Sequence, residues 1–318
     1  MIFTDIIDEI SKAKSIILIT HISPDGDALG SITGMYNALK SLDKDVTMFV
    51  DDNVPDIYNY LPGIDNISRP YYKEVDLILI MDCADIERMG KAKDLLKSNA
   101  LSINIDHHIS NKLYAKMNYV DTNAAATAEI IYQLIKFLRV RLDEDISTSL
   151  YTAIVTDTGG FMYESTTAKT HEIAGDLINN GARFKEVSDT IFHSLKYSKA
   201  KLIGKVLDKL TLYNDGKIAY MEVLKKDFYE TGTDNSDIEN IINFGRDIIG
   251  VEVAILLVER DNEFKISLRS KDNIDVNKIA GLFGGGGHIR AAGCSLFLTY
   301  EQAKQEILNA VIKELGEK

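Results

Sequence analysis

The sequence of 318 residues contains only two cysteines, Cys83 and Cys294. Two cysteines cannot build a disulfide framework or a cysteine-type zinc site, which excludes the small disulfide-rich secreted class. The sequence also lacks the run of about 18 apolar residues that a membrane-spanning helix needs. The N-terminal segment MIFTDIIDEI has no basic cluster and does not resemble a signal peptide. These absences predict a cytoplasmic protein without a membrane partner, whose thiols stay reduced.

Positive charge is also in short supply, because 36 Lys and Arg stand against 48 Asp and Glu, giving a net charge of −12. Proteins that bind long nucleic acid without sequence preference are normally basic, since neutralisation of phosphates supplies their affinity. The acidic balance therefore argues against tight binding of long duplex nucleic acid. It does not exclude a small phosphorylated substrate, provided that the protein binds cations locally.

At about 150 residues per domain, the length predicts two domains. In the first half, apolar strand-like runs alternate with stretches of helical spacing, which is typical of βαβ units in a mostly parallel sheet flanked by helices. The predicted strands are residues 16–20, 46–50, 77–81 and 101–105, and the predicted helices are 31–41, 91–98, 127–139, 145–155, 168–180 and 185–196. The fold class is therefore α/β for this part of the chain.

The second half has a different pattern. A charged stretch predicts a connecting helix at 193–212, which separates an N-terminal domain at 1–192 from a C-terminal domain at 213–318. The second domain is predicted to be smaller and α+β with a mixed sheet. Its predicted elements are strands at 217–223, 251–259, 263–270 and 294–298, a short helix at 275–283 and a C-terminal helix from Tyr300.

Acidic residues and histidines recur where the predicted elements of the first half end. They are His21, Asp25 and Asp27 in the loop after the first strand, Asp82 after the third, Asp106, His107 and His108 at the fourth, and Asp157 at a helix end. Ligands of open α/β sheets bind beyond the carboxyl ends of the strands. Any one of these residues alone fits a helix cap, a solvated turn or a core histidine. Together at one sheet edge, they would repel and lose hydration unless cations held them, which predicts a metal site.

The donor types narrow the choice of metal. Carboxylate oxygens with a minority of imidazoles and no thiolate suit Mn²⁺, with Mg²⁺, Co²⁺ or Fe²⁺ as alternatives, and disfavour structural zinc. Two such ions roughly 3.5–4 Å apart can activate water and stabilise the entering and leaving oxygens of a phosphoryl displacement. A carboxylate that bridges the two ions is expected, and Asp82 is the natural candidate.

A glycine-rich segment in the second half predicts a phosphate-binding site. Four consecutive glycines, Gly284, Gly285, Gly286 and Gly287, allow the backbone to approach a ligand, and exposed N–H groups in such a turn attract anions. His288 follows directly. Arg269 ends a predicted strand, and its planar guanidinium suits a terminal phosphate. The alternative is a flexible glycine linker, which the flanking strand and helix patterns disfavour.

In combination, these motifs resemble the DHH phosphoesterase superfamily. His21-x-x-x-Asp25-x-Asp27, Asp82, Asp106-His107-His108 and Asp157 match its four motifs, and residues 267–293 are similar to its DHH-associated substrate domain. The chain lacks the added oligonucleotide-binding domain of RecJ-type nucleases and the basic cluster of family II pyrophosphatases. It is most similar to the group of bifunctional oligoribonucleases and pAp phosphatases.

The resemblance implies a role for each of the acidic residues and histidines of the first half. Two Mn²⁺ ions per chain are expected, with His21 and Asp25 at one ion, Asp27, His107 and Asp157 at the other, and Asp82 between them. His108 would point at the scissile phosphate as an acid or an electrostatic stabiliser, and Asp106 would orient its histidine partners. One departure from the family pattern is Ala126, where relatives often carry serine, so no substrate contact is assigned there.

The resemblance also implies an activity. The expected reaction is hydrolysis of very short oligoribonucleotides to mononucleotides and of 3′-phosphoadenosine 5′-phosphate (pAp) to AMP and phosphate. The alternatives are a phosphodiesterase for cyclic or linear dinucleotides such as c-di-AMP or pApA, and a catalytically silent nucleotide-binding regulator. The complete set of ligand residues argues against the regulator. A homodimer is compatible with these expectations, and the sequence does not rank the substrates.

Overall fold

A computed structural model describes residues 2–68, 74–271 and 274–316, and the chain divides into two compact units. The first unit extends to Ser194 and the second begins at Leu195. The helix predicted as a connection at 193–212 spans Tyr197–Asp208, inside the second unit. Residues 272 and 273, within the segment that resembles the substrate domain, lie outside the described residues.

The first unit contains a six-stranded sheet in which every described strand pairing is parallel. Its spatial order is β3-β2-β1-β4-β5-β6. The predicted α/β class is confirmed, although the sequence pattern missed the short strands β3 and β6. The strands are β1 (Ser15–Ile19), β2 (Asp45–Phe49), β3 (Ile67–Ser68), β4 (Leu77–Met81), β5 (Leu101–Asp106) and β6 (Met117–Val120).

Both faces of this sheet are buried, as its apolar strands require. Ile16 and Leu18 of β1 belong to the main core, whereas Ile17 and Ile19 pack in a smaller cluster with Met89. The helices of the first unit are α1 (Ile2–Lys12), α2 (Gly26–Lys40), α3 (Thr127–Phe137), α4 (Glu144–Asp157), α5 (Ala168–Asn179) and α6 (Phe184–Phe192). Short 3-10 turns lie at Asp56–Tyr58 and Ile64–Asn66.

Three helix predictions need correction. Helix α2 begins at Gly26 rather than at residue 31, because the Asp25 carboxylate accepts a hydrogen bond from the Ala28 N–H and caps the helix. The helix predicted at 91–98 is wrong: Ile86–Lys97 forms 3-10 turns interrupted at Gly90, whose φ is 59°. Helix α6 ends at Phe192, four residues earlier than predicted.

The second unit contains a mixed sheet, as expected, and its six strands have the order β11-β12-β10-β9-β8-β7. The β8–β9 pairing is parallel and the other described pairings are antiparallel. The strands are β7 (Thr211–Tyr213), β8 (Ile218–Val223), β9 (Val253–Glu259), β10 (Phe264–Ser270), β11 (Gly286–His288) and β12 (Ala291–Leu296).

The helices of this unit cover the two faces of its sheet. Ile307 and Val311 of the C-terminal helix pack in the core on one face, and Leu202 and Ile241 pack on the other. The helices are α7 (Tyr197–Asp208), α8 (Lys225–Thr231), α9 (Ile241–Arg246), α10 (Val276–Gly281) and α11 (Tyr300–Gly316), with a 3-10 turn at Asn235–Ile238. In the described part of the chain, no helix has both the length and the apolar character needed to cross a membrane.

Helices α2 and α4 approach each other at small residues. A Cβ atom on Gly30 would lie 2.4 Å from the backbone oxygen of Ser149 and 2.8 Å from the Cβ of Ala153. A Cβ on Gly26 would collide with Thr156 in the same way, at 2.3 Å from its Oγ1. The contact at Gly30 fixes the distance between the two helices, because the backbone of Ser149 and Ala153 cannot move aside as a flexible side chain does.

We therefore expect Gly30→Ala to lower the free energy of unfolding by about 1–3 kcal/mol through overpacking. Gly175→Ala is the matched control, because Gly175 lies in helix α5 of the same unit with no atom within 4 Å of an added Cβ. That control should raise the free energy of unfolding by about 0.5–1 kcal/mol through the better helix propensity of alanine. Urea unfolding followed by circular dichroism measures both, and equal stabilities would contradict the packing argument.

Candidate active site

Three neighbouring strands carry polar residues to one edge of the first sheet. His21 lies two residues beyond β1, Asp82 directly follows β4, and Asp106 is the last residue of β5. Because β1, β4 and β5 are adjacent and parallel, their carboxyl ends meet at the same edge. The arrangement that the sequence pattern predicted for this edge is therefore present.

The first donor group consists of His21, Asp25 and Asp82, whose ligand atoms all lie within 4.8 Å of one another. The Nε2 atom of His21 is 3.5 Å from Asp82 Oδ2 and 3.8 Å from Asp25 Oδ2. His21 and Asp82 are buried, whereas Asp25 is exposed. Asp25 has two functions at once, because its other oxygen caps helix α2.

The second donor group consists of Asp27, His107 and Asp157, again with ligand atoms within 4.8 Å. The Nε2 atom of His107 is 3.2 Å from Asp157 Oδ2 and 3.9 Å from Asp27 Oδ2. Asp27 lies in the first turn of α2 rather than in the predicted loop, and Asp157 is the last residue of α4. The tight packing of α2 against α4 therefore brings these two carboxylates to the same place.

Asp82 faces both groups. Its Oδ2 approaches His21, while its Oδ1 lies 3.7 Å from His107 Nε2. The backbone at Asp82 is left-handed, with a φ of 55°, and its N–H donates to the Ile105 carbonyl. Aspartate is among the few residues other than glycine that tolerate this conformation. The turn of the chain at this point aims the carboxylate into the site.

Thr127 is a site residue that the sequence analysis missed. Its hydroxyl donates to Asp82 Oδ1 at 3.0 Å, and its backbone N–H donates to Asp27 Oδ2 at 2.6 Å. The next amide, of Ala128, donates to the other oxygen of Asp27 at 3.1 Å. The N-terminus of helix α3 thus holds the Asp27 carboxylate, as its free amides and dipole favour. The sequence signal was the threonine after Ala126 at the start of a helical pattern.

His108 is oriented by Asp106. The Nδ1 atom of His108 is 2.8 Å from Asp106 Oδ1, while Asn111 donates to Asp106 Oδ2 at 2.6 Å. The hydrogen bond to Asp106 raises the pKa of His108 to about 9, against the opposing effect of burial. His107 differs, because its Nδ1 faces the Ala124 carbonyl at 3.2 Å, and it contacts Asp106 through its backbone N–H.

Two of the carboxylates at this edge, Asp27 and Asp157, are short of positive charge, whereas for Asp82 the effect of burial is outweighed by histidines, which lower its pKa. Burial and the nearby charges of Asp82, Asp157 and Asp25 raise the pKa of Asp27 well above its ordinary value. Burial likewise raises the pKa of Asp157 to about 6, although His107 opposes the shift. Bound cations would remove this repulsion.

The donor set fits hard or borderline divalent cations. It offers carboxylate oxygens and imidazole nitrogens, which suit Mn²⁺ or Mg²⁺ better than softer ions. The neighbouring thiol does not take part, because Cys83 is buried in an apolar cluster and its Sγ approaches the Asp85 carbonyl. Metal binding by these residues is therefore consistent with both their chemistry and their spacing.

Two further acidic residues, which lie just after strand β2, accept hydrogen bonds from loops beside the site. Asp52 Oδ2 accepts from the Ser23 N–H at 3.0 Å, where the Ser23 backbone is left-handed with a φ of 53°. Asp51 Oδ2 accepts from the Lys91 N–H at 2.7 Å. Both lie just beyond the end of β2. The expectation that polar residues after parallel strands lie at the site, which identified Asp82, therefore also applies to them.

The residues predicted to bind substrate lie in the second unit. Arg269 is half-buried near the end of β10, and its Nη1 donates to the Leu268 carbonyl at 3.0 Å. Gly284 has a φ of 70°, as a turn requires, but Gly286, Gly287 and His288 form the exposed strand β11 paired with β12. The predicted glycine turn is thus confined to Gly284 and Gly285, and the amides that follow belong to a sheet edge.

Comparison with known proteins agrees with this geometry. Residues 15–155 match the N-terminal domain of the DHH family, and residues 215–317 match the DHHA1 domain. A Thermus thermophilus protein named "Bifunctional oligoribonuclease and PAP phosphatase NrnA" is 32% identical over 316 residues, which cover 98% of this chain and 94% of the relative. The chain belongs to the DHH family. It is accordingly a hydrolase acting on phosphoester bonds, and DHH phosphoesterases depend on metal ions.

Other DHH relatives extend the similarity over most of the chain. The Bacillus subtilis protein of the same name is 30% identical over 298 residues, covering 92% of this chain and 93% of the relative. Among solved structures, an exopolyphosphatase-related protein from Bacteroides fragilis has a TM-score of 0.88 and 27% identity, covering 98% of this chain and 96% of that one. A RecJ exonuclease bound to manganese shares the fold at 14% identity, with a TM-score of 0.54 and coverage of 97% and 93%.

Asp82→Asn tests the position of Asp82 between the two donor groups. Asparagine also tolerates a left-handed backbone, so the fold should survive. Since both groups lose a carboxylate oxygen, we expect Mn²⁺ affinity to fall by about 10–100-fold or more. Asp85→Asn is the control, because Asp85 pairs with Lys112 and belongs to neither group. Electron paramagnetic resonance of free Mn²⁺ gives the two isotherms, and equal affinities would show that Asp82 does not join the groups.

Proposed function

We propose that this DHH phosphoesterase hydrolyses very short oligoribonucleotides to mononucleotides, and pAp to AMP and phosphate, with two divalent cations, Mn²⁺ in the first place. The observation that carries the dinuclear site is the position of Asp82, whose two oxygens face separate donor groups. The substrate class is supported by the names of the relatives from Thermus thermophilus and Bacillus subtilis.

The two donor groups define which residues would hold the cations. His21 and Asp25 would hold one, Asp27, His107 and Asp157 the other, and Asp82 would contact both. When bound, such a pair of ions makes water a stronger nucleophile and offsets the charge that develops on the entering and leaving oxygens. The helix α3 amides at Thr127 and Ala128 keep Asp27 in place while this charge changes.

His108 is the side chain proposed to act on the substrate beside the cations. The Nδ1 atom of His108 is hydrogen-bonded to Asp106, and Asn111 donates a hydrogen bond that holds Asp106 in place. This leaves Nε2 as the atom that can donate a hydrogen bond or a proton to a phosphate oxygen. The ring is partly exposed, with 35% of its side-chain surface accessible, so a substrate can reach it.

The second unit is proposed to supply residues that bind a phosphate group of the substrate. Arg269 offers a guanidinium for a terminal phosphate, and His288 with the backbone of Gly286 and Gly287 offers further donors. The N–H groups of Gly284 and Gly285 are less suited than the sequence predicted, because they already donate to the Gly281 and Ala280 carbonyls. β11 is an edge strand, so one side of its backbone remains open to a ligand. The net charge of −12 gives no general attraction for a long phosphate backbone, which favours short substrates.

Removal of metal should abolish activity. We expect a chelator to stop phosphate release from pAp, and Mn²⁺ to restore it more fully than Mg²⁺, because the carboxylate and imidazole donors suit Mn²⁺. Parallel circular dichroism spectra check that the metal-free protein stays folded. Full activity of the metal-free protein would rule out the proposed chemistry.

Substrate length should matter. We expect turnover to fall steeply beyond about five nucleotides, since the net charge of −12 gives no general attraction for a long phosphate backbone. Arg269→Ala and His288→Ala should weaken binding of the dinucleotide by about 10–100-fold and lose the length preference, with Mn²⁺ binding unchanged.

The measurement compares a dinucleotide with a twenty-nucleotide RNA, and adds pApA and c-di-AMP to rank the substrates. Lys226→Ala is the control for loss of one positive charge in the same unit, because Lys226 is exposed on helix α8. Equal wild-type rates on the short and the long RNA would contradict end recognition by the second unit.

A further inference from the structure

Arg88 lies against the first donor group but belongs to neither donor group. Its Nη2 atom is 3.0 Å from Nδ1 of His21. The residue belongs to the 3-10 segment Ile86–Lys97 and comes six residues after Asp82. Its backbone oxygen accepts from the Ile22 N–H at 2.7 Å. The main chain therefore sets the position of Arg88 beside His21, independently of its side-chain partner.

The Nδ1 atom of His21 has two neighbours that make opposite demands. It lies 2.8 Å from the carbonyl oxygen of Ile22, which can only accept a hydrogen bond. It also lies 3.0 Å from Arg88, whose guanidinium can only donate one. The first contact needs a hydrogen on Nδ1 and the second needs a bare nitrogen, so both cannot be hydrogen bonds at the same time.

When a cation is bound, the Nε2 atom of His21 determines which of these two contacts is a hydrogen bond. Nε2 of His21 faces Asp82 and Asp25, and a cation among these three residues takes its lone pair. A neutral imidazole then carries its hydrogen on Nδ1, where it donates to the Ile22 carbonyl. In that state Arg88 faces a donor and loses its acceptor.

Within the described ranges, no second acceptor is hydrogen-bonded to the guanidinium. Among the described residues, His21 is the one hydrogen-bond partner of the Arg88 guanidinium. The acidic neighbour Asp85 pairs with Lys112, and its other oxygen accepts from the Glu87 N–H. A partly buried guanidinium without an acceptor is costly, so a ligand oxygen is the natural partner.

We propose that Arg88 binds a phosphate oxygen of the substrate next to His21 when the donor groups hold their cations. The proposal rests on the proposed function, and it adds a substrate-binding residue to it. Arginine suits this role because its planar fork can donate two parallel hydrogen bonds to a phosphate group. It also adds a fixed positive charge beside the carboxylates of the first donor group.

The test uses the full-length protein saturated with Mn²⁺ and inorganic phosphate as the probe. We expect Arg88→Ala to weaken phosphate binding in calorimetry by about 10–100-fold and to raise the KM for pAp similarly. Arg88→Lys, which keeps the charge and loses the fork, should fall between this variant and the wild type. Arg141→Ala is the control, because Arg141 is exposed between α3 and α4, and it should bind phosphate like the wild type.

Mn²⁺ affinity separates this role from a structural one. If Arg88 binds substrate, all three variants should bind Mn²⁺ as the wild type does. Weaker Mn²⁺ binding by Arg88→Ala with unchanged phosphate binding at saturating Mn²⁺ would make Arg88 a positioning residue for His21 and overturn the proposal. Unchanged phosphate binding and KM would overturn it as well. A wild type that binds phosphate through Arg88 but hydrolyses neither pAp nor dinucleotides would instead refute the proposed substrates.

Discussion

Repulsion among buried carboxylates is the constraint around which the first unit is built. Asp27 and Asp82 are buried, and Asp25 and Asp157 lie close by. A folded protein accepts such a cluster only if hydrogen-bond donors, imidazoles or cations compensate for the lost hydration. The chain supplies part of this compensation itself through helix amides and histidines, and bound cations would supply the rest.

Much of the surrounding structure holds these charged groups together. The capped start of α2 and the amides at the start of α3 hold Asp25 and Asp27 from two directions. Close packing between α2 and α4 brings Asp157 to the same point, since a side chain at Gly26 or Gly30 would push the helices apart. Small residues that have no donor atom of their own therefore set the distances between the functional groups.

More of the candidate site than of the surrounding fold could be predicted from the sequence. Parallel strands that end in Asp or His place their side chains at one edge whatever the details of packing, so His21, Asp82 and Asp106 could be grouped in advance. Thr127 and Arg88 could not, because their contacts depend on how α3 and a 3-10 segment pack in space. The strand β11 could not be predicted because glycine has a low strand preference. It is a strand because it pairs with β12.

The distribution of functional residues along the chain has an evolutionary consequence. The donor groups are drawn from residues 21–157, whereas Arg269 and His288 belong to a separate unit that begins at Leu195. Under the proposed function, substitutions in the second unit alter which ligand is preferred and leave the acidic edge of the first unit unchanged. A lineage built in this way can diversify its substrates through one half of the chain while the other half keeps its donor residues.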